Sequence, residues 1–129
     1  MVFNSRILYI RPKLILVDDT NYRETRWFKN WEGWTTMETM TLPAEVSHIQ
    51  KEALIGIAII QTNDTLIAQE ICQEVWTPEN PTSYFVKQGV EVICNSSGSY
   101  HVLRKLDKRV NLMSNTTGKM GGVYVYANV

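Results

Sequence analysis

The stretch VEVICNSSGSYHVLRKLDKRVNLMSNTTGKMGGVYVYA, residues 90–127, decides the fold class. Residues 90–94 and 123–127 are apolar or alternate with polar residues, which predicts two strands. Residues 100–113 carry apolar side chains at helical spacing, which predicts one helix with an apolar face. Strand, helix and strand in that order are typical of an α/β fold. The apolar positions of the helix are Val102, Leu103, Leu106, Val110 and Met113.

The residues before this stretch continue the α/β rhythm. Pro12 separates two apolar runs, 7–10 and 14–17, and excludes one continuous central strand there. Residues 18–36 are polar and aromatic without a clean period, which predicts a loop. Further strands are predicted at 37–42, 53–60 and 65–72, with a turn at Asn63-Asp64, and a short helix at 82–89 that ends at Gly89.

The predicted helices are few for a parallel sheet, which needs cover on both of its faces. The first predicted strand begins within the first ten residues, and the last ends at Asn128-Val129. We therefore expect residues 1–129 to be part of a larger α/β domain.

Composition excludes several classes of protein. The 129 residues carry 13 basic and 13 acidic side chains, so the balance lacks the basic surplus of a nucleic-acid-binding domain. No apolar run approaches the roughly 20 residues of a membrane span, and the N-terminus does not resemble a signal peptide. Two cysteines are too few for a disulfide scaffold, and His48 and His101 have no partner at metal-ligand spacing. These features predict a cytoplasmic protein without a metal site.

Cys72 is the best candidate nucleophile. It follows the predicted strand 65–71, and a side chain in the turn after such a strand lies at the carboxyl edge of the sheet, where α/β sites are found. A cysteine there can be kept as a thiolate by a nearby cation or a helix N-terminus. The alternative is a buried structural cysteine, which general burial tendencies favour for an arbitrary cysteine. For Cys94, which ends the predicted strand 90–94, the structural role is favoured more strongly.

The charged candidates for the same chemistry are one lysine and three glutamates. Lys13 lies between the two apolar runs, and it points either to solvent or into a site. Glu24 is surrounded by aromatic residues in NYRETRWF, whereas Glu70 and Glu74 flank Cys72 at two residues on either side. The alternative for the glutamates is a role as ordinary surface carboxylates or in ion pairs with arginine.

The loop NSSGS, residues 95–99, is rich in glycine and serine but has no lysine, and the sequence lacks both common phosphate-binding glycine motifs. Its functional interpretation is a site loop that donates hydroxyl and backbone N–H groups. Its structural interpretation is a strand-to-helix turn with Ser99 as the N-cap.

Four segments resemble one family closely. NYRETRWF, EICQEVWTP, GVEVICNSSGS followed by HVLRKLDKRVNL, and GGVYVYAN are similar to the amidase domain of eukaryotic-type glutamine-dependent NAD synthetases, of the nitrilase superfamily. The resemblance covers nearly the whole chain and is weakest around residues 33–60. It implies the α+β four-layer sandwich of carbon–nitrogen hydrolases, here as a partial domain over residues 1–129.

The resemblance also implies a mechanism. Cys72 matches the nucleophile that attacks the carboxamide carbon of glutamine, and Lys13 matches the lysine that stabilises the oxyanion and the thiolate. Glu24 matches a second glutamate that lies near the lysine and helps to hold the site. The positions that match glutamine-binding residues of the family are Tyr22, Ser99 and Arg104, the last as a clamp for the α-carboxylate. His101 is then expected to be a helix residue near the site rather than a base.

The departures from the family are as informative as the matches. The general-base glutamate of the family lies upstream of the lysine, and none of residues 1–12 is acidic. The synthetase domain, which uses ATP and Mg²⁺ to amidate deamido-NAD, is expected to be absent, so no cofactor is expected in residues 1–129. Gln73 stands where the family has an acid, and Tyr100 where it has a histidine.

These matches and departures leave two functional interpretations. The chain is the glutaminase portion of a glutamine-hydrolysing NAD synthetase, which works as a homo-oligomer in its full-length form. Alternatively, it is an inactive truncated remnant or an interaction module that lacks the general base.

Overall fold

A computed structural model describes residues 1–129, and the chain divides after Ala58 into two units, Met1–Ala58 and Ile59–Val129. Each unit contains its own main sheet, and one sheet has three strands and the other four. The predicted α/β class is confirmed, because both sheets mix parallel and antiparallel pairs and the second carries helical crossovers. None of the helices combines the length and the apolar character needed to cross a membrane.

The first unit begins with a two-stranded hairpin and continues into a three-stranded sheet of order β3-β5-β4. Strand β3 runs parallel to β5, and β4 runs antiparallel to it. No strand continues past Pro12, and residues 18–36 form a loop with a single 3-10 turn at Glu24–Arg26, as predicted. The elements are β1 (Val2–Phe3), β2 (Arg6–Ile7), β3 (Tyr9–Ile10), β4 (Met37–Thr41), α1 (Ala44–Ser47) and β5 (Glu52–Gly56).

The second unit is built on a four-stranded sheet of order β6-β7-β8-β9. A hairpin joins β6 and β7 through the predicted turn. Helical crossovers then connect β7 to β8 and β8 to β9, and both of these neighbouring pairs are parallel. The elements are β6 (Ile59–Gln61), β7 (Leu66–Ile71), a 3-10 helix (Cys72–Trp76), α2 (Thr82–Lys87), β8 (Val92–Ser97), α3 (Lys105–Met120) and β9 (Val123–Asn128).

One face of this second sheet is buried and carries polar as well as apolar side chains. Side chains of a strand alternate between the faces, so Ala68 and Glu70 of β7 share a face with Ile93 and Asn95 of β8. Each of these four residues is at most 5% exposed. Phe85 of α2 is fully buried and supplies the largest apolar side chain of the core.

The predicted single strand at 53–60 is wrong in its extent. Strand β5 ends at Gly56, which has a φ of +148°, and a Cβ there would lie 2.3 Å from the carbonyl oxygen of Thr36. The chain therefore leaves the first sheet at this glycine, and β6 begins at Ile59 in the other unit.

The predicted boundaries between 90 and 113 are also shifted. Strand β8 continues through the predicted loop to Ser97, so Cys94 lies within the strand rather than at its end. Helix α3 begins at Lys105, because Arg104 adopts a left-handed φ of +65°. Ser99 is therefore not the N-cap; instead its N–H donates to Asn128 Oδ1 and its carbonyl accepts from Arg109 Nη2, each at 2.8 Å. The predicted apolar face of the helix is largely exposed, at Leu103, Leu106 and Val110.

Candidate functional site

Cys72 occupies the first position after β7, at the carboxyl edge of the parallel strands, where the sequence predicted a site. Its side chain is mostly buried, with 8% of the residue exposed. Its φ is +48°, in the left-handed region that a non-glycine residue adopts at a cost of about 1–3 kcal/mol. Surrounding contacts must therefore hold the backbone of Cys72 in this conformation.

Two contacts fix the turn around Cys72. The backbone N–H of Cys72 donates to Asn95 Oδ1 at 3.2 Å, across from β7 to β8. The N–H of Ile71 donates to Glu74 Oε2 at 2.9 Å, so a carboxylate satisfies a free backbone donor at the start of the 3-10 helix. The two backbone N–H groups that lead into the cysteine thus each have a side-chain acceptor.

Glu70 and Glu74 are both buried, with at most 1% of either residue exposed. The interpretation of these glutamates as surface carboxylates is therefore wrong. It fails because both side chains point inward from the turn and find donors there: Glu74 accepts from the chain at Ile71, and Glu70 accepts from Thr82 at the start of α2. A buried carboxylate requires such donors, since burial without them is costly.

Glu70 is the centre of a hydrogen-bonded cluster beneath the cysteine. Its Oε1 accepts from the backbone N–H of Thr82 at 2.9 Å and from the hydroxyl of the same residue, and its Oε2 accepts from the hydroxyl of Tyr124. Burial raises the pKa of the Glu70 carboxyl, and the hydrogen bonds from Thr82 and Tyr124 partly oppose the rise. Burial also raises the pKa of Tyr124, and the neighbouring Glu70 adds to that shift.

Asn95 links this cluster to the cysteine, and sequence reasoning missed it. Its Nδ2 donates to the hydroxyl oxygen of Tyr124 at 3.0 Å, and its Oδ1 accepts from Ser97 Oγ at 2.8 Å. Asn95 belongs to the segment 95–99, which was predicted to be a loop. The only sequence signal for a role near the site was its polar side chain directly after the predicted strand 90–94.

Lys13 and Glu24 come together in the first unit. Lys13 Nζ lies 2.7 Å from Glu24 Oε1 and 2.6 Å from Oε2, and the same carboxylate accepts the N–H of Val17 at 2.7 Å. The carbonyl of Lys13 accepts the N–H of Trp31 at 2.9 Å, which also holds the backbone of the lysine. Both charged side chains are mostly shielded from solvent, at 16% and 21% exposure. Glu24 thus lies next to Lys13, as the sequence resemblance implied.

The three predicted glutamine-binding residues lie apart from one another in the chain. Tyr22 is in the first unit, where its N–H donates to Asp19 Oδ1 at 3.1 Å. Ser99 and Arg104 lie in the loop between β8 and α3, and Arg104 is exposed. His101 belongs to the same exposed loop, so its expected place within the helix is wrong.

A cleft of about 460 Å³ opens beside this loop in the second unit. Lys105 crosses it, with Nζ 4.1 Å from the ring centre of Tyr100 and 5.8 Å from that of Trp76, which are cation–π distances. Arg104 and Lys108 also line the cleft, together with Val102 and Leu103, so cationic groups lie beside apolar and aromatic side chains.

Comparison with known proteins identifies the family. The carbon–nitrogen hydrolase family matches residues 1–129, which is the whole chain. The chain belongs to the carbon–nitrogen hydrolase family. The resemblance drawn from the sequence is thereby confirmed.

Relatives of this carbon–nitrogen hydrolase are similar over nearly its full length. It is 46% identical over 130 residues to the glutamine-dependent NAD(+) synthetase of Dictyostelium discoideum, which covers 99% of this chain and 18% of that protein. It is 45% identical over 130 residues to the enzyme of the same name from Arabidopsis thaliana, again covering 99% of this chain and 18% of that protein. The chain thus spans about a fifth of the length of the curated relatives it matches.

The fold is also found among solved structures. The crystal structure of a glutamine-dependent NAD(+) synthetase from Cytophaga hutchinsonii matches with a TM-score of 0.71 at 24% identity. The match covers 92% of this chain and 17% of that chain, and it supports the nitrilase-type fold expected from the sequence.

Proposed function

We propose that this chain is a glutaminase, which hydrolyses L-glutamine through Cys72 to supply ammonia for the ATP-dependent amidation of deamido-NAD. The observation that carries the proposal is the position of Cys72, in a strained and supported turn at a strand end, in a member of the carbon–nitrogen hydrolase family. The names of the relatives supply the substrate, glutamine, and the product of the whole enzyme, NAD.

The first proposed step is attack on the amide. The thiolate of Cys72 forms a C–S bond to the carboxamide carbon, and the carbonyl electron pair moves to oxygen. An amide is a poor electrophile, so a cation aimed at the developing oxyanion is needed, and we assign that role to Lys13. Removing one such donor typically lowers the rate about 10²–10³-fold.

In the second proposed step the oxyanion electron pair re-forms the carbonyl and the C–N bond breaks; the nitrogen takes a proton from water and leaves as ammonia, which gives a γ-glutamyl thioester. Water then attacks the thioester carbon, the C–S bond breaks, and glutamate and the free thiol are formed. No residue of this chain is assigned as the general base. Glu24 is assigned to hold Lys13, because its two oxygens already accept three hydrogen bonds, two from the ammonium and one from Val17.

The remaining proposed contacts bind the amino-acid end of glutamine. Arg104 has the bidentate donor geometry that suits the α-carboxylate, and it lines the cationic cleft of the second unit. Tyr22 and Ser99 are proposed as further glutamine contacts. We propose that ATP and Mg²⁺ act on deamido-NAD through residues outside this chain, and that the full-length enzyme is a cytoplasmic homo-oligomer.

Ammonia release from L-glutamine tests the proposal. The protein and two variants, Cys72→Ala and Cys94→Ala, are compared at equal concentration. We expect the Cys72 variant to lose glutamine-dependent ammonia release and the Cys94 variant to keep it, because Cys94 lies within β8. Equal ammonia release by the Cys72 variant and the unaltered protein would contradict the nucleophile assignment.

The second candidate function is that of a non-catalytic interaction module. The observation in its favour is the exposed apolar face of α3, where Leu106 is 66% and Val110 51% exposed. Two results together would favour this candidate over the glutaminase. The unaltered protein would release ammonia only at the background rate, and it would self-associate in a way that Leu106→Ser abolishes.

A further inference from the structure

We propose that Asn95, Tyr124 and Glu70 form a support network that positions Cys72, in which Asn95 holds the backbone of the cysteine and Glu70, through Tyr124, supports the orientation of Asn95. The inference rests on the proposed function, since it assigns positioning residues to the proposed nucleophile. None of the three side chains is proposed to touch the substrate.

The backbone of Cys72 is strained. A non-glycine residue at a φ of +48° returns to a relaxed conformation unless its neighbours hold it. Asn95 contacts both backbone polar groups of the cysteine: Oδ1 accepts its N–H at 3.2 Å, and Nδ2 lies 3.5 Å from its carbonyl oxygen. A single buried side chain therefore fixes the peptide units on both sides of the Cys72 Cα.

The Asn95 amide has one favoured orientation. An amide can rotate by half a turn, and the rotated form would place Nδ2 against the N–H of Cys72, two donors facing each other. Its Nδ2 donates to the hydroxyl oxygen of Tyr124 at 3.0 Å, which favours the observed form only if that hydroxyl acts as an acceptor. The backbone N–H of Cys72 therefore favours the observed orientation of Asn95, and Tyr124 adds to this preference when its hydroxyl oxygen accepts from Nδ2.

Glu70 completes the network. The hydroxyl of Tyr124 donates to Glu70 Oε2, while the backbone N–H and the hydroxyl of Thr82 donate to Oε1. Because Oε2 of Glu70 accepts the tyrosine proton, the tyrosine oxygen is left to accept from Asn95. Because the bonds are buried or partly buried, a mismatched donor pair in the network is costly, and a change at Glu70 is expected to reach the Cys72 backbone through Tyr124 and Asn95.

The chain offers a matched control on the same strand. Tyr126 shares the buried face of β9 with Tyr124, two residues away, and pairs in register with Asn95. Its hydroxyl is buried but has no hydrogen-bond partner. Removing either hydroxyl is therefore the same chemical change at similar burial, yet only one of them belongs to the support network.

Hydrogen exchange of the Cys72 backbone amide, followed by NMR on the ¹⁵N-labelled protein, measures the network without turnover. In Tyr124→Phe we expect this amide to exchange about two- to tenfold faster, which corresponds to the loss of a typical hydrogen bond of about 0.5–1.5 kcal/mol. In Tyr126→Phe we expect no change. Unchanged exchange in Tyr124→Phe, or equal acceleration in both variants, would overturn the inference.

A double-mutant cycle tests the direction of the network. Glu70→Gln alone is expected to accelerate the same exchange, because the new amide can donate to the tyrosine oxygen. In the Tyr124→Phe background the same substitution is expected to add nothing, since the link to Asn95 is already broken. Independent, additive effects of the two substitutions on the exchange rate would contradict the network. If Tyr124→Phe does not fold, the exchange rate in Glu70→Gln is compared with that in Tyr126→Phe instead.

Steady-state kinetics separates the support network from the proposed function. With glutamine as substrate, Tyr124→Phe is expected to lower kcat and leave KM unchanged, whereas general loss of structure would change both. If the unaltered protein releases no ammonia while the exchange results hold, the proposed function fails and the support of the Cys72 backbone stands. If ammonia release holds and the exchange rates do not change, the support network alone is refuted.

Discussion

Replacing Glu24 by glutamine removes the charge opposite Lys13 while keeping the size of the side chain. The carboxylate accepts three hydrogen bonds, two from the Lys13 ammonium at 2.6 and 2.7 Å and one from the N–H of Val17 at 2.7 Å. A glutamine offers only one acceptor oxygen and places an NH₂ group against a donor. We therefore expect both the ammonium and the backbone of residues 13–17 to lose their common anchor.

The size of the effect follows from the exposure of the pair. Fully exposed ion pairs contribute about 0.2–1 kcal/mol, whereas hydrogen bonds to charged groups in proteins contribute about 1.5–3 kcal/mol. Lys13 and Glu24 are only 16% and 21% exposed at their side chains, which lies between these cases but nearer to the shielded one. The expected loss of unfolding free energy in Glu24→Gln is thus about 2 kcal/mol.

Urea unfolding followed by tryptophan fluorescence measures this loss, because Trp27, Trp31 and Trp34 all belong to the first unit. The matched control is Glu32→Gln, the same change at an exposed glutamate of the same loop, for which a change within about 0.5 kcal/mol is expected. An equal effect of the two substitutions would refute the assignment of Glu24 as the anchor of Lys13.

Three further predictions concern the second unit. Burial raises the pKa of Glu70 above its ordinary value of 4.5, so the protonated carboxyl stabilises the fold most below pH 4.5. This contribution to the free energy of unfolding is lost as the pH rises through the folded-state pKa, and Glu70→Gln removes this pH dependence. Denaturant titrations across this range should therefore show the variant gaining stability relative to the unaltered protein as the pH rises; parallel curves would contradict this. Cys72→Gly is expected to be about 1 kcal/mol more stable than Cys72→Ala in urea unfolding, the reverse of the usual order, because φ is +48° there. Phe85→Ala is expected to cost about 3–5 kcal/mol by the same assay, since the ring is fully buried, and a loss below 1 kcal/mol would show that it is not part of the core.

The elements that were predicted best are those whose boundaries are determined by residues close to them in sequence. Strand β7 and helix α2 were expected where they are found, because an apolar run bounded by Asn63-Asp64 and a helix that ends at Gly89 carry their own boundaries. The position of Cys72 after the strand followed from the same pattern. The family resemblance then assigned roles that spacing alone could not.

The errors arise where contacts distant in sequence override local pattern. Periodicity includes residues 100–104 in α3, but Asn128 and Arg109 hold the loop at Ser99 and the left-handed Arg104 delays the helix to Lys105. The alternative of a surface carboxylate at Glu70 likewise could not be decided from the sequence, because the donors that allow its burial come from Thr82 and Tyr124 in other elements.

Cys72 is proposed as the nucleophile that attacks glutamine. The most direct measurement is to treat the protein with a chloromethyl ketone analogue of glutamine and to locate the covalent adduct by peptide mass spectrometry. We expect an adduct on Cys72 that excess L-glutamine prevents, and we expect Cys94 to remain unmodified. An adduct on Cys94 instead, or modification of Cys72 that glutamine does not slow, would contradict it.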